Sequence, residues 1–233
     1  MGANVLAMRQ GACVALSLIL FVLLEPSAVS AETLRGKVEI KTPIRKVVRR
    51  NRRQPLRSNQ DDRSYTDRSG SKSESRDEVR SVVVSVVNAP AKKSSVPAIM
   101  RQKDRSFIPF VLPVVVGTKV EFPNDDKIYH GVYSESKARA FELPQYANGE
   151  SRSLVFEKPG VVELFCHIHA HMNAFIVILE NGFFAQPGSD HAYAIKELPP
   201  GRYTVKAWHP RLGSKVEMVE VKAGQDASLD FTF

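Results

Sequence analysis

The chain has 233 residues, 33 Lys and Arg against 25 Asp and Glu, a formal net charge of +8, and two cysteines. That length suits about two domains, and so few cysteines exclude a disulfide-stapled scaffold. A C-x2-C-H haem attachment sequence and a nucleophile elbow are both absent from the sequence, which points away from haem chemistry and from a hydrolase of that type.

The first segment carries Arg9, an apolar run from Gly11 to Leu24, Pro26, and the small-residue sequence Ser27-Ala28-Val29-Ser30-Ala31. It reads as a secretory signal, residues 1–31, cleaved after Ala31. The run is too short for a comfortable membrane span and no later segment reaches helical spanning length, so no transmembrane segment is expected after cleavage. The expected location is periplasmic or secreted. Cleavage removes Cys13 and leaves Cys166 as the sole thiol, in a compartment that oxidises paired cysteines. Coordination to a metal would both deprotonate and protect it.

Leu34 to Ile40 reads as a first strand, with Val38 and Ile40 on one face. From Lys41 to about Asp77 the chain is rich in Arg, Ser, Asp and Asn, with too few large apolar residues to offset the entropy of ordering. Residues 41–78 are therefore expected to be a disordered insertion. Within it Lys41, Arg45, Lys46, Arg49, Arg50, Arg52, Arg53 and Arg57 equal the whole charge excess. Such a tract suits docking to an acidic protein or an anionic lipid surface. Nucleic acid is not expected as a partner, because the tract has no aromatic interleaving.

Val79 to Val87 predicts a buried strand closed by Asn88-Ala89-Pro90, and residues 91–97 a linker. Extended segments follow at Phe107 to Leu112, Val114 to Val116 and Lys119 to Phe122. Asp125 and Asp126 read as turn residues ahead of His130. Residues 135–151 are polar and without a clear period, which fits a long loop or a short helical turn. Ser153 to Glu157 and Val161 to Cys166 predict a hairpin around Lys158-Pro159-Gly160. The last region holds short β segments punctuated by Leu198-Pro199-Pro200-Gly201 and Ala223-Gly224, with Trp208 as a packed aromatic beside a surface His209. No helical period of apolar residues follows the signal, so the architecture is expected to be all-β, as two packed sandwiches.

Between the strand-like runs Val161 to Phe165 and Ala174 to Leu179 lies Cys166-His167-Ile168-His169-Ala170-His171-Met172. The spacing C-x2-H-x2-M, with His130 upstream, offers two imidazole nitrogens, a thiolate and a thioether. That donor set is what a blue-copper centre uses, and the thioether favours copper over zinc. A buried inert cysteine is the plain alternative, but it does not call for His and Met at these offsets. His167 and His171 are further imidazoles beside the cluster, so which histidines bind stays open.

Residues 98–180 resemble a cupredoxin of the plastocyanin and amicyanin type. The resemblance rests on Val116-Gly117-Thr118-Lys119-Val120-Glu121-Phe122, Asn124, His130, Lys158-Pro159-Gly160, and Cys166-x2-His169-x2-Met172. It implies a Greek-key β-sandwich with His130, Cys166, His169 and Met172 as ligands of one mononuclear type 1 copper. It further implies a single-electron carrier rather than an enzyme, with a redox protein as partner. Phe165, Ile168 and Phe175 would then either shield the metal or serve in ordinary core packing, and His169 would be the electron exit. Gly131 stands where many relatives have Asn. The segments at 32–40, 79–90 and 181–233 are similar to a carboxypeptidase-regulatory-like or transthyretin-like β-sandwich of Ig-like type, on Gly36-x-Val38, Leu198 to Val205 and Trp208. The cupredoxin would then sit inserted in a discontinuous sandwich. Two other functions are compatible with these residues: copper binding and delivery, and an interaction module with a vestigial copper site.

Overall fold

The computed structural model describes residues 31–41, 78–92 and 98–233. The expected signal segment, apart from Ala31, and the interior of the expected basic insertion lie outside the described residues. Those that are described are all-β, and the only helical element among them is one 3-10 turn, Val79–Ser81.

Two strands precede the central region: β1 (Glu32–Glu39) and β2 (Val83–Val86). The expected strand from Val79 is shorter than its composition suggests. Its first residues form the 3-10 turn, which buries Val79 and Ser81 before the chain extends. The central region contains β3 (Arg101–Lys103), β4 (Ser106–Ile108), β5 (Val111–Val115), β6 (Thr118–Pro123), β7 (His130–Ser136), β8 (Arg139–Tyr146), β9 (Ser151–Phe156), β10 (Gly160–Cys166) and β11 (Asn173–Leu179). One layer is the five-stranded sheet β5-β11-β10-β7-β8, in which β5 runs parallel to β11. The other joins the β3-β4 hairpin to the β6-β9 pair through parallel bridges from Ile99 to Glu121 and from Gln102 to Asn124.

Two expectations for this region are corrected. Residues 139–146, expected to be loop or a helical turn, form β8. As an edge strand with few buried side chains, it lacks the alternation that marks a half-buried strand. The turn at Lys158-Pro159-Gly160 does not close a hairpin, because β9 pairs with β6 and β10 pairs with β7 and β11. It carries the chain from one layer to the other. Between the layers lie Val120, Phe122, Val132, Phe156, Val162, Leu164 and Ile176, all inaccessible to solvent.

The remaining strands are β12 (Phe184–Ala185), β13 (Ala192–Leu198), β14 (Gly201–His209), β15 (Gly213–Val221), β16 (Ala227–Ser228) and β17 (Phe231–Thr232). β1 lies between β13 on one side and β16 and β17 on the other, and β2 lies between β12 and β14. Both N-terminal strands are thus central in sheets otherwise made of C-terminal ones. Their apolar residues Leu34, Val38, Val84 and Val86 share a core with Ile195, Leu198, Val205 and Phe231. Val83, Val111, Phe175 and Val177 form a third cluster, with Trp208 against it, where the two units meet. The Phe175 and Trp208 rings pack edge to face at 5.7 Å.

His209, expected at the surface, is fully buried. Its Nδ1 accepts the amides of Arg211 and Leu212 at 3.2 and 3.1 Å. Its Nε2 lies 3.2 Å from the Glu78 carboxylate, which also pairs with Arg211. Burial pushes the His209 pKa down to about 4. A proton on Nδ1 would also displace both amides, so the neutral form is the folded one.

Replacing Leu34 by Ala is expected to cost about 2–5 kcal/mol, as large-to-small changes in a closed core do. Urea unfolding followed by circular dichroism measures it. For His209, the unfolded chain takes up its proton near the ordinary value of about 6.5 while the folded chain waits until about 4. The neutral ring's contribution is therefore complete above the unfolded value and declines as pH falls through this window. The urea midpoint of the native chain is expected to drop more between pH 7 and pH 4.5 than that of His209→Gln, in which this proton is missing.

Candidate metal centre

Side chains alternate along each strand, so parity decides what faces the space between the layers. On β7 the inward set includes His130 and Val132, and on β10 it is Val162, Leu164 and Cys166. Cys166 pairs with Val132 and Phe165 with Tyr133, which brings the start of β7 against the end of β10. The 167–172 turn is closed by the Met172 amide on the His169 carbonyl at 3.0 Å and by the Cys166 amide on the Met172 carbonyl at 3.3 Å. As a result Cys166 Sγ lies 3.5 Å from His130 Nδ1 and 3.8 Å from His169 Nδ1. All three donor atoms fall within 4.8 Å of one another, with His130 and Cys166 buried and His169 half-buried. Met172 is buried in the same cluster as Cys166.

The donor orientation suits a metal. His130 Nε2 is 2.7 Å from Asp126 Oδ2, so with the Nε2 proton donated to that carboxylate the Nδ1 lone pair would face Cys166. Burial opposes ionisation of Asp126, but the Arg105 amide, His130 and the Asp104 amide together outweigh it and hold the carboxyl below its ordinary value. The His169 pKa is pushed down to about 4, first by burial and then by the nearby imidazoles of His130 and His171. Metal–ligand lengths of roughly 2.0 Å to nitrogen and 2.3 Å to sulfur would let one ion span an N–S separation of up to about 4.3 Å. The observed 3.5 and 3.8 Å fall within that reach.

The extra histidines are placed differently from each other. His167 packs against the Tyr133 ring at 4.8 Å and lies 3.6 Å from the Glu142 carboxylate. A Cβ on Gly131 would come within 2.5 Å of His167 Cδ2, so the His167 ring occupies the place a side chain at 131 would need. That explains why glycine follows His130. His171 is exposed, with its ring 5.9 Å from that of His169. The expected apolar shield is also corrected. Phe175 points away from the cluster, toward Trp208 and Phe110, because its parity on β11 is opposite to that of Ala174 and Ile176. Phe165 packs against Tyr133 and Ile168 is exposed. Met100, Val132, Tyr146, Leu164 and Ala174 share the cluster of Cys166 and Met172 instead.

The sequence pattern marks Asp126 only as a turn residue. Its position four residues before His130 is the single sequence feature that could have suggested the contact.

No family model and no curated protein matches the chain. Among solved structures, a copper-containing nitrite reductase from Thermus scotoductus SA-01 is 30% identical, over 40% of this chain and 24% of its own, with a TM-score of 0.35. The match thus spans about a quarter of that enzyme. A purple cupredoxin from Nitrosopumilus maritimus is 24% identical over 35% of this chain and 98% of its own, at a TM-score of 0.32. A reduced amicyanin variant is 18% identical over 41% of this chain and 97% of its own, at 0.34. The fold is settled by strand order rather than by these scores. With β5-β11-β10-β7-β8 in one layer, β4-β3-β6-β9 in the other, and β5 parallel to β11, residues 98–180 have a cupredoxin-like fold.

Proposed function

We propose that His130, Cys166, His169 and Met172 hold one copper in a type 1 site, and that the protein carries single electrons between redox protein partners. The observation that carries this reading is the convergence of His130 Nδ1, Cys166 Sγ and His169 Nδ1 within 4.8 Å. Copper bound there would supply a one-electron couple. The chain's part is to hold the donors still. Two imidazoles are anchored on separate elements, one on β7 and one on the 167–172 turn, so little rearrangement would accompany a change of charge. Met172 would add a weak thioether donor that tunes the potential, and half-buried His169 would be the exit to a partner.

The remaining assignments belong to the same reading. The leader at 1–31 would place the chain in the periplasm or outside the cell. The basic tract at 41–57 would dock an acidic protein or an anionic lipid. Residues 32–40, 79–90 and 181–233 would form a carboxypeptidase-regulatory-like sandwich that carries the 98–180 unit as an insertion. The paired sheets that β1 and β2 share with the C-terminal strands support that division.

A second reading, copper delivery, is favoured by one observation: exposed His171 stands beside His169, where it offers a departing metal another imidazole.

Loading with copper(II) is expected to produce an intense visible charge-transfer band, with one copper per chain. Cys166→Ser should lose that band, and a colourless wild-type protein would refute electron carriage by this site. Competition with a chelator separates the two readings: slow loss at a stoichiometry of one supports the carrier, whereas more than one copper and rapid loss that His171→Ala slows support delivery.

A further inference from the structure

The contact between Asp126 and His130 is more elaborate than a turn residue requires. Its carboxylate is almost enclosed, with a side-chain exposure of 13% against 0% for His130. Oδ1 accepts the Asp104 amide at 2.7 Å, and Oδ2 accepts the Arg105 amide at 2.9 Å together with His130 Nε2 at 2.7 Å. Asp104 and Arg105 are the two central residues of the β3-β4 hairpin, and both are left-handed, at φ 51° and 54°. A two-residue hairpin turn with both φ positive prefers Asn and Gly. Arginine there is strained, and the turn persists where its surroundings over-determine it.

The surroundings do so on each side of the carboxylate. The Asp126 amide donates to Asn124 Oδ1 at 3.0 Å. Asn124, itself fully buried, donates to the carbonyls of Ile128 and Tyr146 and so closes the loop that leads into His130. Arg101 of β3 pairs with Asp125 at 2.9 Å, and the Asp125 amide donates to the Gln102 carbonyl at 2.9 Å. The β3 strand with its hairpin turn and the 124–130 loop are therefore stitched together, with the Asp126 carboxylate at the end of the seam.

We propose that Asp126 is a positioning residue for the metal centre. Held by the two hairpin amides, it fixes the rotation and tautomer of His130, strengthens Nδ1 as a donor, and thereby favours the more highly charged, oxidised state of the bound metal. This rests on the copper reading above. A carboxylate on the remote nitrogen of a ligating histidine does this in metal sites generally, and its loss costs 10–100-fold in affinity.

The test uses the full chain, native and Asp126→Asn, with and without copper. In the metal-free native protein, long-range proton–nitrogen NMR is expected to show His130 with its proton on Nε2. A dominant Nδ1–H form would overturn the proposal whether or not copper binds, so its failure is distinguishable from failure of the copper reading. Asp126→Asn is expected to show mixed tautomers, to bind copper(II) 10–100-fold more weakly by chelator competition, and to have a more positive reduction potential. Unchanged affinity and potential in a native-like, blue Asp126→Asn protein would also overturn it. Arg101→Ala removes only the neighbouring clamp on Asp125 and is expected to leave all three readouts unchanged. An equal loss there would assign the effect to the loop and overturn the role of Asp126. Should Asp126→Asn fail to fold, the native tautomer decides.

Discussion

Everything at the candidate centre depends on the antiparallel pairing of β7 with β10. Cys166 sits opposite Val132, so His130, two residues earlier on the same face, is delivered to the sulfur without any long loop having to place it. A slip of one residue would send His130 to the outer face beside Tyr133 and bring Gly131 inward, because side chains alternate with period two. The register is held against such a slip by Val132, Val162 and Leu164, which are all fully buried between the layers. The hydrophobic core and the donor set are in this sense one pattern. Every second residue of β7 and β10 packs inward, and the last of them carry the chemistry.

The second unit imposes a different constraint on the same sheet. Outward-facing Phe175 and Val177 of β11 are covered by Val83 and Trp208, so β11 is buried on both faces. That double burial explains why Ala174 to Leu179 reads as a continuous apolar run rather than an alternating one. β1 and β2 in turn are central strands of sheets completed only by residues 184–232. Residues of β1 and β2 therefore share one core with those of the C-terminal strands, while the 98–180 segment has its own.

How much was legible follows from how local each feature is. The donor cluster stands in eight consecutive residues and an all-β chain announces itself by short alternating runs, so both could be read directly. β8 could not, because an exposed edge strand has no buried face to mark its period. The parity of Phe175 was hidden by the uniform apolarity of β11. The burial of His209 depends on Glu78 and Arg211, one of them distant in sequence, meeting it inside the second unit. The supposed hairpin between β9 and β10 failed because a Lys-Pro-Gly turn looks the same whether it joins neighbours or crosses between layers.

The amino-acid sequence by itself determined the β class, the thiol, and which imidazoles and thioether could stand beside it, since these follow from residue type and short spacing. Only the tertiary structure decided that His130 faces Cys166, that His167 is committed to packing over Gly131 and Tyr133, and that Asp126 with the hairpin amides of Asp104 and Arg105 grips the far side of His130. Those outcomes depend on strand register and on pairings across tens of residues, and such separations leave no trace in the local pattern of a chain.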